Sequence, residues 1–272
     1  VRVVARKTLS EALELGPREL IALVGGGGKS SAVRLIAGER ARAGDRLIVT
    51  TTTAMFETEL ATVGPLVFGS DVPGLSALEA SLVEGRAVAA AASRSTEGKV
   101  AGLDPATVDG LWARGLADCI IVEADGSRGR PVKAFAVHEP PLPSSTTTTV
   151  LVAGLDAVGR PMTEEYVHRA EEFADMLSLD YGSELTAPVV ADALREMIAR
   201  LRRLGAPRVV VLLNKLDVPD GETAARGVAE ALFRETATAD PGIGEEWHPA
   251  PDGIAAASLA ERRFCAVDVS VG

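Results

Sequence analysis

Residues 20–31 read L-I-A-L-V-G-G-G-G-K-S-S. Five apolar residues lead into four glycines, and a lysine and two serines then open a helical pattern. A short unbroken apolar run suits a strand buried on both faces. Four consecutive glycines are conformationally expensive, and between a strand and a helix they allow a sharp turn and a close approach to the backbone. The same alternation recurs along the chain. Apolar runs at 20–24, 46–50, 66–68, 87–92, 119–123, 150–153, 209–213 and 264–269 predict strands. Helical patterns lie between them at about 29–43, 71–84, 105–117, 163–178, 187–204 and 221–236. This spacing predicts a doubly wound α/β fold with a mostly parallel sheet flanked by helices. The proline-rich stretches 140–149 and 240–253 read as loops within one domain spanning 1–272, because strand or helix patterns resume after each.

Composition bounds the function. The chain of 272 residues is 47% hydrophobic, enough for a sizeable core, and carries a net charge of -10. That charge argues against nucleic acid or an anionic membrane surface as a partner. Cys119 and Cys265 lie in apolar runs without a second cysteine or histidine at metal-ligand spacing, so neither a disulfide framework nor a zinc site is expected. No apolar run approaches the ~20 residues that span a bilayer, and the start of the chain does not read as a secretory signal. A cytoplasmic protein is expected. Of 28 basic residues only five are lysines, and Asn214 is the one asparagine. Where these residues are so scarce, those retained mark chemistry that arginine or serine does not replace.

The glycine run Gly25, Gly26, Gly27 and Gly28 is followed by Lys29, Ser30 and Ser31. Backbone N–H groups at a helix N-terminus favour anions, a lysine reaches β- and γ-phosphates, and a serine hydroxyl binds Mg²⁺. This is a P-loop layout of the short form G-x-G-G-K-[ST], with Leu23 where the longer form has its first glycine. Residues 209–217, V-V-V-L-L-N-K-L-D, end a second apolar run in Asn214, Lys215 and Asp217. In an N-K-x-D loop the aspartate accepts hydrogen bonds from guanine N1–H and N2–H₂, which adenine lacks. The competing reading makes Asp217 a helix N-cap. Residues 117–133, A-D-C-I-I-V-E-A-D-G-S-R-G-R-P-V-K, place Glu123 and Asp125 at the end of a strand. Either one is suited to hold Mg²⁺ while the other orients a water. Arg128, Arg130 and Lys133 follow in a stretch that reads either as a solvated loop or as a contact to phosphate. Thr50–Thr53 sit where strand two meets the ligand crevice, and Thr51 is a candidate for Mg²⁺ or the γ-phosphate.

These motifs, in this order, together with V-H-E-P-P-L-P at 137–143, resemble the YqeC family, accessory proteins of selenium-dependent molybdenum hydroxylases. The resemblance runs from about residue 20 to 217, and E-A-D-G-S and H-E-P are its specific parts. Ser30 stands where threonine is commoner, and it still carries a hydroxyl. The resemblance implies a nucleotide-binding P-loop protein, using GTP or ATP with Mg²⁺, that helps mature such a hydroxylase or its cofactor. It also draws attention to His138 and Glu139, for which the residues alone suggest a surface histidine or a metal-ligand pair. His168 reads as packed or solvated on a helix. Lys29, Glu123 and Asp125 are the catalytic candidates for hydrolysis by positioning and electrostatics. Two alternatives use the same parts: a small-molecule kinase with an acceptor pocket, or a module that binds a phosphorylated cofactor such as molybdopterin without hydrolysis. A metal-delivery GTPase ranks lower, for want of a Cys/His cluster. A homodimer is in keeping with P-loop proteins of this kind.

Overall fold

The computed structural model describes residues 1–69, 72–84, 87–95, 97–234 and 250–269. Among these residues ten strands form one sheet, in the order Arg2–Arg6, Arg263–Asp268, Gly253–Ser258, Val209–Asn214, Thr148–Gly154, Glu19–Gly25, Cys119–Glu123, Leu47–Thr51, Ala87–Ala91 and Leu66–Phe68. All neighbours pair in parallel except at one edge, where Arg263–Asp268 runs antiparallel to both its partners.

The central strand Glu19–Gly25 is buried along its whole length. Leu20, Ala22 and Val24 join one apolar cluster, while Ile21 and Leu23 join another. This two-sided burial is why the run lacks a polar alternation. The helix Lys29–Ala43 follows, closed by Gly44 in the left-handed conformation. The helix Ala187–Arg203 begins at Thr186, whose hydroxyl accepts from the Val189 amide at 3.4 Å, with a proline in its first turn.

After the central strand the chain crosses to Leu47–Thr51, two positions away, and later fills the gap with Cys119–Glu123. It then continues on the other side with Thr148–Gly154 and Val209–Asn214. The order of strands therefore reverses beside the glycine loop. Such a switch point leaves a crevice at the carboxyl ends of the strands.

Three differences from the sequence reading have local causes. The pattern at 163–178 predicted one helix, but helix forms only over Ala170–Leu177. Residues Val167–His168 instead pair in parallel with Val132–Lys133, and Arg169 at φ 63° breaks the run. The helix expected over 105–117 ends at Ala113, with Gly115 at φ 66° beyond it. Two strands of the ten-stranded sheet went unrecognised, Arg2–Arg6 and Gly253–Ser258, as did the short strands outside it. Residue 71, residues 235 and 236, His248 and most of the 240–253 loop lie outside the described residues.

Candidate nucleotide-binding site

The glycine loop is clamped between the ends of neighbouring strands. The Gly26 amide donates to Val152 O and the Gly27 amide to Arg130 O, both at 2.9 Å. Gly27 has φ 78°, and a Cβ there would sit closer than 3 Å to Gly154 N. Gly28 has φ 128° and would place a Cβ equally close to Asn214 Nδ2. Only glycine fits either position. With the Gly25 amide donating to Asp125 Oδ2, three of the run's four amides are committed to the protein, so the anion cradle is narrower than four glycines suggest. It consists of the start of helix Lys29–Ala43, where Gly28 is the N-cap and no side chain caps the helix. The free N–H groups of that first turn and the helix dipole favour a phosphate.

Lys29 and Ser30 open this helix and line a cavity of about 430 Å³ with Gly28, Ser31, Glu59, Lys99, Glu123, Ser127 and Arg128. The Lys29 ammonium donates to Gly25 O at 2.6 Å and lies 3.2 Å from Asp125 Oδ1. Ser30 Oγ donates to Glu123 Oε2 at 3.1 Å and lies 3.5 Å from Glu59 Oε2. Burial pushes the Glu123 carboxyl up to about 7, against the pull of Lys29 and the Ser30 hydroxyl.

The structure separates Glu123 from Asp125. The strand ends at Glu123, so the alternation that would place both on one face stops there. Asp125 is fully buried and committed. Its Oδ2 accepts from the Gly25 amide at 2.9 Å, and it bridges Lys29 to Lys133, whose ammonium is 2.9 Å away. Glu123 is the carboxylate that faces Ser30. Thr51 is also turned away: its hydroxyl donates to Glu123 O at 2.9 Å, and the residue is fully buried. Lys133 is not part of a solvated loop, because its ammonium is buried between Asp125 and Glu139.

Ser30 with Glu123, and Glu59 nearby, offers hard oxygen donors that fit Mg²⁺. That ion takes one or two carboxylates and completes its shell from phosphate and water. Among the described residues there is no group of three or more His, Cys, Asp or Glu able to hold a metal ion.

Asn214 joins this loop to the second motif. Its Nδ2 donates to Gly27 O at 2.7 Å, and its Oδ1 accepts from the Leu259 amide at 3.2 Å. Lys215, at φ 71°, pairs with Asp156. Asn214, Lys215 and Asp217 line a second cavity of about 530 Å³ with Leu259, Ala260 and Arg262. Gly28, Ser31 and Arg34 border both cavities, so the two adjoin. A hydrogen bond from Ser258 holds the Asp217 carboxyl below its ordinary range, which keeps it an ionised acceptor. Asp217 does not cap the helix Gly221–Phe233, whose N-cap is Asp220.

The sequence reading missed Arg34, Glu59, Lys99 and the 258–262 turn. These come from four separate parts of the chain, and none carries a local pattern. His138 is exposed, whereas Glu139 is buried and pairs with Lys133 and Arg169, each at 2.7 Å. The two adjacent residues therefore do not form a metal-ligand pair. No helix among the described residues is long and apolar enough to cross a membrane.

Comparison with known proteins places these observations. The YqeC protein family model matches residues 21–171. The Escherichia coli K12 protein YqeC is 36% identical over 170 residues, which is 61% of this chain and 65% of that protein. The chain thus spans about two-thirds of that relative's length. Among solved structures, chloroplast FtsY from Physcomitrella patens aligns at TM-score 0.39 and 12% identity, over 83% of this chain and 59% of FtsY. FtsY from Mycoplasma mycoides aligns at TM-score 0.29 and 10% identity, over 80% and 50%. The family model covers more than half of the chain, including the glycine loop, Glu123, Asp125 and Glu139, and the chain belongs to the YqeC family.

Proposed function

We propose that this protein binds and hydrolyses a nucleoside triphosphate with Mg²⁺, prefers guanine, and serves the maturation of a selenium-dependent molybdenum hydroxylase or its cofactor. The supporting observation is that two cavities adjoin across Gly28, Ser31 and Arg34. One offers a helix N-terminus, Lys29 and Ser30 to phosphates. The other offers Asp217 to a base.

Lys29 and the first-turn N–H groups hold the β- and γ-phosphates and stabilise the charge that builds on them. Ser30 and Glu123 are the residues that would hold Mg²⁺, which when bound neutralises phosphate charge. Asp217 accepts from guanine N1–H and N2–H₂, and adenine would leave it facing an acceptor. The hydroxylase assignment is supported by family membership and by the E-A-D-G-S and H-E-P stretches.

Calorimetry with non-hydrolysable GTP and ATP analogues and Mg²⁺ tests the binding. The GTP analogue should bind the wild type, Lys29→Ala should abolish binding, and Asp217→Ala should remove the preference over the ATP analogue. Absence of binding by either analogue refutes the nucleotide reading. Hydrolysis is read from phosphate release, and tight binding without release would point to the non-hydrolysing module. For the cellular role, deleting the gene should abolish selenium-dependent hydroxylase activity and spare the selenium-independent enzymes.

A further inference from the structure

A third cavity, of about 700 Å³, lies against the phosphate cavity. Ala54, Lys99, Gly126 and Arg128 line both. Its own walls add Arg130, His168 and Arg169 on one hand, and Glu164, Glu171 and Glu172 on the other. The volume suits a cofactor-sized small molecule. Lys99 and Arg128 stand at the junction with the phosphate cavity. Glu164, Glu171 and Glu172 border only the third cavity, as do Arg169 and Arg130, whose Nε donates to Glu164 O. Glu139, also in its wall, is consumed by Lys133 and Arg169. Burial is the main cause that pushes His168 down to about 4, and Arg169, Lys133 and Arg128 act in the same direction.

The cavity is also wired to the phosphate loop. Lys29 lies 3.2 Å from Asp125, Asp125 2.9 Å from Lys133, Lys133 2.7 Å from Glu139, and Glu139 2.7 Å from Arg169. This chain of alternating charge begins at the phosphate lysine and ends in the wall of the third cavity.

We propose that the third cavity is the site of a second substrate, a phosphate-bearing small molecule whose anionic end lies at Lys99, Arg128 and Arg130 and whose hydrogen-bond donors face Glu164, Glu171 and Glu172. This rests on the nucleotide reading, because it is adjacency to the nucleotide's phosphates that makes the cavity a substrate site. Nucleotide consumption is thereby tied to a small molecule bound beside it, and Arg130 is a specificity residue for that molecule. Its side chain borders the third cavity and not the phosphate cavity, and only its backbone carbonyl touches the glycine loop.

The test uses inorganic pyrophosphate as an anionic probe, titrated into protein already saturated with the non-hydrolysable GTP analogue and Mg²⁺. One equivalent should bind. Arg130→Ala should weaken it at least tenfold while leaving affinity for the GTP analogue within twofold, and Arg130→Lys should recover most of the loss. If the analogue binds and pyrophosphate does not, or if Arg130→Ala binds pyrophosphate as tightly as the wild type, the second-substrate site is refuted and the nucleotide reading stands. If the analogue itself fails to bind, both fall.

Discussion

Replacing Glu139 by glutamine keeps the shape of the side chain and removes one charge from the buried network. In the wild type, burial acts to raise the Glu139 carboxyl, but hydrogen bonds and charge from Arg169 and Lys133 outweigh it and hold the group at about 2. Its ordinary value is 4.5. A carboxyl depressed on folding stabilises the native state above its unfolded pKa, and that contribution is lost as pH falls towards the folded value. The difference corresponds to about 3 kcal/mol at pH 7, shrinking to roughly 1.4 kcal/mol at pH 3. Breaking a buried pair by removing one partner gives a similar figure of about 3–5 kcal/mol, because Lys133 is left with too little compensating charge. Urea unfolding of wild type and Glu139→Gln at pH 7 and pH 3, followed by circular dichroism, measures both values. The variant should be weaker by about 3 kcal/mol at pH 7, and the gap should narrow by more than half at pH 3. A deficit under about 1 kcal/mol at pH 7, or one that stays constant with acid, would show that Glu139 does not carry the network's charge balance.

Three further variants probe the loop. Gly27→Ala should abolish nucleotide binding and lower the urea midpoint, since its Cβ meets the Gly154 backbone and φ 78° disfavours alanine; normal analogue binding by calorimetry would contradict this. Asn214→Ala should cost about 2 kcal/mol in urea unfolding, because the buried Gly27 carbonyl and Leu259 amide lose their partner, and a neutral result would refute that role. Thr51→Val should cost about 1 kcal/mol of stability yet leave affinity for analogue and Mg²⁺ within twofold, as its hydroxyl serves Glu123 O; a tenfold loss of affinity would return Thr51 to the ligand set.

The parts of the fold legible in the sequence are those where one local rule suffices. The helix 29–43 was read to the residue because a glycine turn precedes it and Gly44 ends it. The central strands were legible because burial on both faces leaves unbroken apolar runs. Gly253–Ser258 was missed because G-I-A-A-A-S has the composition of a helix or a loop. It is a strand because Val209–Asn214 and Arg263–Asp268 lie on either side of it, and no local pattern encodes neighbours. Arg2–Arg6 was missed for a different reason. As an edge strand with mostly exposed residues, it holds only V-V-A between two arginines, a short run that did not stand out. Lys133 shows the same limit at the site. Beside Arg128 and Arg130 it reads as one of three basic loop residues, and what distinguishes it is burial between two carboxylates.

The four glycines then have a fuller explanation than a floppy phosphate loop. Gly27 and Gly28 are pressed against the Gly154 backbone and the Asn214 side chain. The Gly26 and Gly27 amides are bonded to neighbouring chain. The segment is rich in glycine because strand ends and the Asn214 loop converge on it, and each approach excludes a Cβ. That convergence makes the site composite. Asn214 fixes the loop that carries Asp217 to Gly27 O, so a shift in either motif moves the other. On the opposite side the Gly27 amide bonds Arg130 O, which ties the same loop to the wall of the third cavity. The helix N-terminus therefore stands between two hydrogen-bonded neighbours, the Asn214 loop and the wall of the third cavity. In the proposed reading the first serves a base and the second a further anion, so substitutions that break either contact should disturb binding at both.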